Sequence, residues 1–418
     1  QKKLKVLVLS DHALSTSGVG TQTRHLLNGL IEKGCWTFRQ FGAAIKHADY
    51  RTVVVNEDFI IKPVDGFGNP EMLRIALATE KPDILFIFTD PRFFTWLFEM
   101  EDEIRAICPI VWWHVWDNYP YPDFNTPFYE ATDLINCHSH MTYEMLKDKF
   151  PSKTNWIPHS LPDDLFFPLP EQDARNYKIQ LLGKDREDHF VGIWVNRNAK
   201  RKRPNDVLVA WKNFLDNLQR KKGHKKATLI MHTDPNDNEG PNLFNVTEML
   251  GIQNHVFFSK ERLEFEKMNI LYNISDFCVT MSYAEGFGLS TLESMMTGTP
   301  IIAPKTGGLT KQVYDSKLKS SNGVAIDIKM KTLVGSQTVP YIYEDYVDVD
   351  DVANAMFKLY KINKNEAKKT KLKQKVYKYA TQEFAYQKTI DMWHDTMLDT
   401  LTKFKEAKSK KQWTLKEI

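Results

Sequence analysis

Four charged side chains stand where group-transfer chemistry could be done: Glu285, Glu293, Arg197 and Lys202. Glu285-Gly286-Phe287-Gly288 follows an apolar run ending near Met281, and a helical stretch then begins around Leu289 with Glu293 near its start. Glycines let backbone amides approach a ligand closely, and a helix start adds free N–H groups and roughly half a positive charge. That set suits a diphosphate, with Glu285 and Glu293 on either side of it to bind sugar hydroxyls. The same residues also fit a plain helix start after a glycine turn, with Ser290 and Glu293 as a capping box.

Arg197 and Lys202 stand five apart in the loop after another apolar run, Phe190–Val195. Two fixed cations there could neutralise a departing diphosphate without a metal. Lys200, Arg201 and Arg203 add more charge than a diphosphate needs, so a solvated basic loop or a nucleic-acid patch stays open as a reading. Gly18 and Gly20 follow the first apolar run, but Thr23 stands where a dinucleotide fingerprint needs its third glycine. His114 ends the run Ile110–Trp113, and Trp116, Asp117 and Tyr119 follow it as candidates to contact an acceptor. Asp90 ends another apolar run with no assigned role, and His138 with His140 lacks a third neighbouring ligand for zinc.

The elements that must position these residues alternate short apolar runs with helical patterns, as parallel α/β units do. Leu4–Leu9, Ile84–Phe88, Ile110–Trp113, Leu134–Cys137 and Asn155–Ile157 read as strands, with a β-rich excursion over 51–70. A Pro- and Asp-rich stretch at 159–187 reads as a domain boundary. Strands resume at Phe190–Val195, Thr228–Met231, Val256–Phe258, Phe277–Thr280 and Pro300–Ala303, and the chain is helical from about 350. The expectation is two doubly wound domains, 1–165 and 166–385, facing a cleft with the carboxyl ends of their strands. A segment 386–418 adds a returning helix and a basic tail, KFKEAKSKKQ.

The run AEGFGLSTLESMMTGTPIIA resembles the nucleotide-sugar motif of retaining glycosyltransferases of family 4: Glu, seven residues, Glu, then a small-residue turn and a buried strand. The resemblance spans nearly the whole chain through Gly18 and Gly20, His114, the IPHSL hinge, and the Arg197–Lys202 pair. It implies the GT-B fold and metal-independent, retaining transfer from a nucleoside diphosphate sugar, a UDP-sugar being favoured. It also implies donor contacts from Gly18, Gly20, Arg197, Lys202, Glu285, Gly286, Phe287, Gly288, Leu289 and Glu293. His114, Glu285, Arg197 and Lys202 would be catalytic. No resident cofactor or metal is expected. The Lys-rich loops and the HVWDNYPYPDFN segment further resemble stand-alone members encoded by large phages, which implies 5-hydroxymethylcytosine in DNA as acceptor. The alternatives are a glycan or lipid acceptor of the cell envelope, or a binding module that keeps the fold without catalysis. An NAD-dependent oxidoreductase is disfavoured by the incomplete glycine fingerprint.

Composition bounds these readings. The chain has 418 residues, 42% hydrophobic and 26% charged, with a net charge of +3. That is ordinary globular composition, which excludes disorder, collagen and coiled coil as whole-chain readings. Four scattered cysteines make no disulfide framework or zinc site. No apolar run approaches about 18 residues, and the first strand begins at Leu4, so a cytoplasmic protein is expected.

Overall fold

The computed structural model describes residues 2–45 and 48–410. It divides into two compact units: one joins the residues up to Ser160 with those from Tyr386 onward, and the other is Leu161–Ala385. The first unit therefore ends at Ser160 rather than 165, and the segment from Tyr386 belongs to it. Lys411 and Gln412 of the basic tail lie outside the described residues.

The first unit is built on eight strands: β1 (Leu4–Asp11), β2 (Trp36–Ala43), β3 (Val53–Asn56), β4 (Phe59–Pro63), β5 (Ile84–Thr89), β6 (Ile110–His114), β7 (Leu134–Cys137) and β8 (Thr154–Trp156). They lie in the order β3-β4-β2-β1-β5-β6-β7-β8. Every pairing is parallel except the β3–β4 hairpin at one edge. The interior strands are buried on both faces, which is why β1, β5 and β6 are nearly continuous apolar runs. β2 escaped that rule. Its Arg39 and Gln40 interrupt the apolar run, although Gln40 is buried and donates to Ser10 Oγ at 2.7 Å.

The helix Tyr386–Lys410 completes this core with Ile390, Trp393, Met397 and Leu401, packed among Val8, Leu26, Phe86 and Trp113. It crosses the helix Gly18–Ile31 at Gly29, where a Cβ would stand 2.4 Å from Ile390 Cδ1. Only glycine permits that approach.

The second unit carries β9 (Phe190–Val195), β10 (Ala227–His232), β11 (Val256–Ser259), β12 (Phe277–Val279) and β13 (Ile301–Pro304). A short hairpin of β14 (Tyr314–Asp315) and β15 (Ser320–Ser321) precedes β16 (Gly323–Ile326), and β17 (Met330–Val334) pairs with β18 (Ile342–Tyr346). The main sheet runs β11-β10-β9-β12-β13-β16, all parallel. Helices Pro204–Lys222 and Val349–Asn363 seal one core through Trp211, Phe214, Met356 and Tyr360. The stretch expected as a boundary at 159–187 holds the division after Ser160 and also contains the helix Glu171–Leu182. It buries no residue, so it shows no apolar stripe; its acidic first turn, Glu171 and Asp173, complements the helix dipole. No described helix is long and apolar enough to cross a membrane.

Candidate nucleotide-sugar site

In the second unit, parallel strands deliver two loops to the same sheet end. The loop after β9 carries Arg197 to Arg203, and the loop after β12 carries Glu285 to Gly288. They meet through Lys202, whose Nζ forms an ion pair with Glu285 Oε1. Arg201 lies 3.8 Å from Glu285 Oε2 and donates to the Ala284 carbonyl at 3.3 Å. Burial alone would raise the Glu285 carboxyl, but Lys202 and Arg201 outweigh it and hold the group below its ordinary range. The carboxylate is thus kept ionised in a buried place.

The turn behind Glu285 is fixed by the protein's own donors. Gly308 N–H donates to the Glu285 carbonyl at 3.0 Å, and Gln312 Nε2 donates to the carbonyls of Phe287 and Gly288 at 2.8 and 2.9 Å. Gly288 has φ +92°, and a Cβ there would stand 2.6 Å from Leu309 Cδ2. The helix Leu289–Met296 starts at this glycine with no side-chain cap. The capping-box reading is therefore corrected: Ser290 does not cap, and Glu293 turns instead to Tyr272, whose hydroxyl donates to Oε1 at 2.8 Å. Burial pushes the Glu293 carboxyl up to about 7, and the Tyr272 bond only partly offsets it. Phe287 is buried and meets Phe384 edge-on, and Leu289 packs on the same core.

The remaining cations divide by role. Arg197 is exposed and paired with Asp237 at 3.0 Å, so its partner is not the Lys202–Glu285 pair. Arg203, at φ +54°, is buried against the adjoining rings of Tyr283 and Tyr346 and paired with Asp206 at 2.7 Å. It is a structural clamp. Lys200 stays exposed. The basic run is thus not one solvated patch.

In the first unit, Gly18 and Gly20 begin the helix Gly18–Ile31, and Ser17 caps it by accepting from Gly20 N–H at 3.0 Å. His114 is fully buried at the end of β6, with Nε2 2.8 Å from the Tyr129 hydroxyl and Nδ1 3.8 Å from Cys137 Sγ. Burial, with His138 nearby, holds its imidazole well below the ordinary range. Trp116 is also buried, against Phe124, whereas Tyr119 is half exposed and Asp117 is partly buried. Trp116 is therefore packed inside rather than presented for stacking. Asp90 caps a short turn and pairs with Arg92. His138 faces the His159 ring, and His140 lies 3.3 Å from Glu144.

Three partners have no signal in local sequence: Asp237, Tyr272 and Gln312. Each reaches the site from a separate element.

Residues 182–336 match the family described as glycosyl transferases group 1. The D-inositol 3-phosphate glycosyltransferase of Corynebacterium diphtheriae is 35% identical over 233 residues, 54% of this chain and 48% of that protein. The chain spans about half the length of the curated relatives it matches. Two solved structures share the fold. Sucrose-phosphate synthase from Thermosynechococcus elongatus has a TM-score of 0.71 at 16% identity, covering 96% of this chain and all of that one. Anabaena HepE in complex with UDP-glucose has a TM-score of 0.68 at 15% identity, covering 95% and 100%. Residues 182–336 are thus similar to a glycosyl transferases group 1 domain, and the chain as a whole has the GT-B fold of two Rossmann-like units.

Proposed function

We propose that this protein is a retaining glycosyltransferase that uses a nucleoside diphosphate sugar, a UDP-sugar being favoured, and needs neither metal nor resident cofactor. The observation that carries the reading is the part-buried Lys202–Glu285 pair beside a helix start at Gly288 with no side-chain cap. An uncapped start offers free N–H groups to an anion, and the cation beside it favours charge growing on a leaving diphosphate. In this reading Lys202, Arg197 and the amides around Gly286 to Leu289 hold the diphosphate. Glu285 positions the transferred sugar and Glu293 accepts from ribose hydroxyls. The acceptor oxygen attacks the anomeric carbon on the face the diphosphate leaves. The C–O bond to phosphate breaks as the new C–O bond forms, and the departing phosphate takes the acceptor's proton. His114 enters as a brace of the β6 end, since both its ring nitrogens face protein groups.

For the acceptor we propose 5-hydroxymethylcytosine in DNA, as for a phage-encoded enzyme working in its host's cytoplasm. The half-exposed Tyr119 supports this reading as a stacking surface. The relatives' printed acceptor, D-inositol 3-phosphate, favours a second reading, a small phosphorylated polyol. Nucleoside diphosphate release from a panel of UDP-, GDP- and ADP-sugars tests the donor. Mass change on hydroxymethylated duplex and on inositol phosphate separates the acceptors, and the product's anomeric coupling reports retention. No release from any donor would overturn the assignment.

A further inference from the structure

The second unit has a strongly cationic surface on segments that carry none of the residues assigned above. Residues 217–226 and 358–378 hold 14 of the chain's 56 Lys+Arg and one of its 53 Asp+Glu, so the remainder is net acidic. Packing brings the two segments together. Lys221 and Lys361 lie 4.4 and 5.7 Å from the Phe357 ring, and the Tyr360 hydroxyl is 3.4 Å from His224 Nε2. Lys364 sits 5.3 Å over Tyr360. The helix Glu366–Glu383 then carries Lys368, Lys369, Lys371, Lys373, Lys375 and Lys378 along most of its length.

Two bland explanations fall short. Cations in a last helical turn complement its dipole, which accounts for Lys221, Lys222 and Lys361 but not for lysines running through the whole next helix. Exposed lysines are often paired, as Lys212 is with Asp216, and Lys225 and Lys226 reach Asp216 and Asp188. Among the described residues, none of the nine lysines of 358–378 is in an ion pair. Burial lowers the Lys178 and Lys373 ammonium groups, with Lys369 acting on both in the same direction. The acidic groups that oppose this charge, Asp276, Glu171, Glu366 and Asp315, are fewer than the lysines of 358–378.

We infer that this surface binds the phosphate backbone of a nucleic acid. Lys221, Lys361 and Lys364 stand over rings that are themselves buried, Phe357 and Tyr360, and Val376 and Ala380 of the Glu366–Glu383 helix face the core, while Tyr377 is exposed. The surface offers cations, and one exposed ring among them is not a continuous apolar face to insert. Phosphate backbones are held that way; an interfacial membrane helix instead buries its apolar side in the lipid. Lys226 immediately precedes β10, whereas Lys202 and Glu285 lie beyond the carboxyl ends of β9 and β12. The Lys226 end of the surface is therefore at the opposite end of the sheet from the donor residues, while the helix Glu366–Glu383 runs back toward them, with Tyr379 donating to the Lys311 carbonyl; the surface binds whether or not the nucleic acid is the sugar acceptor.

The test uses the full chain and a fluorescent DNA duplex of about 30 base pairs of arbitrary sequence. With four or five phosphates contacted, affinity falls about 100- to 1000-fold between about 50 and about 200 mM salt. The variant K361E/K364E/K368E/K371E should bind at least about 100-fold more weakly at low salt, and K361R/K364R/K368R/K371R should bind within about threefold of the parent. UDP affinity, measured on the same preparations, should not change and certifies the fold. No duplex binding at low salt, equal binding by the charge-reversed variant, or tighter binding to phosphatidylserine-containing vesicles than to the duplex would each overturn the inference.

Discussion

The two units share a sheet architecture, but the helix starts beside their candidate site residues are treated in opposite ways. In the first, Ser17 closes the start of Gly18–Ile31 with its own hydroxyl, which also donates to Asp11 Oδ2 at 2.6 Å. In the second, the helices starting at Pro204 and Leu289 receive no side-chain cap, and buried or half-buried charges stand beside them instead. His114 and Glu285 repeat the contrast. The imidazole is enclosed by Tyr129 and Cys137, while the carboxylate is held ionised by cations at a loop. The same fold has been closed internally on one side and left open to an anion on the other.

Four substitutions test this contrast. Lys202→Ala removes the cation at the open start, and UDP release should fall about 100- to 1000-fold with the fold intact; near-normal turnover sinks the site. His114→Ala should cost about 2–4 kcal/mol by leaving a cavity and an unpaired Tyr129 hydroxyl. Urea unfolding would show it, with UDP affinity preserved if His114 is only a brace. Glu293→Gln probes the raised carboxyl near 7. Because the folded protein holds that proton more tightly than the unfolded chain, the parent loses stability as pH rises from about 4.5 to about 7. The loss is at most about 3 kcal/mol. The variant should lack that loss, and it should also lack the parent's gain in UDP affinity on deprotonation. Thermal melts and titrations at several pH values check both signs. Ser17→Ala should cost only about 1 kcal/mol and leave transfer unchanged, because that start is already satisfied within the protein.

Much of this frame is legible in the residues themselves. Strands such as Ile84–Thr89 announce themselves because both faces are buried, and the Glu285–Gly288 turn announces itself by its glycines. What escaped lacks a local signal. β2 mixes Arg39 and Gln40 into its apolar run, and the helix Glu171–Leu182 buries nothing. The partners of the charged residues are set by tertiary packing. Lys202 meets Glu285 across 83 positions, and Arg203 is clamped by Tyr283 and Tyr346 rather than offered to a ligand. Spacing along the chain could name these residues but not separate the cation that faces an anion from the one that holds a loop.

The helix Tyr386–Lys410 makes the first unit discontinuous in sequence, and this has a consequence during synthesis. Val8, Leu26, Phe86 and Trp113 emerge from the ribosome early, but the Trp393 and Met397 that cover them come last. Between them the ribosome must make the whole of Leu161–Ala385, which at about 5–20 residues per second takes roughly 10–45 s. The second unit is continuous and can fold as soon as it is complete. The nascent first unit must wait with an uncovered apolar face. A chain stopped short of Ile390 would thus leave the second unit whole and the first one exposed to aggregation and proteolysis.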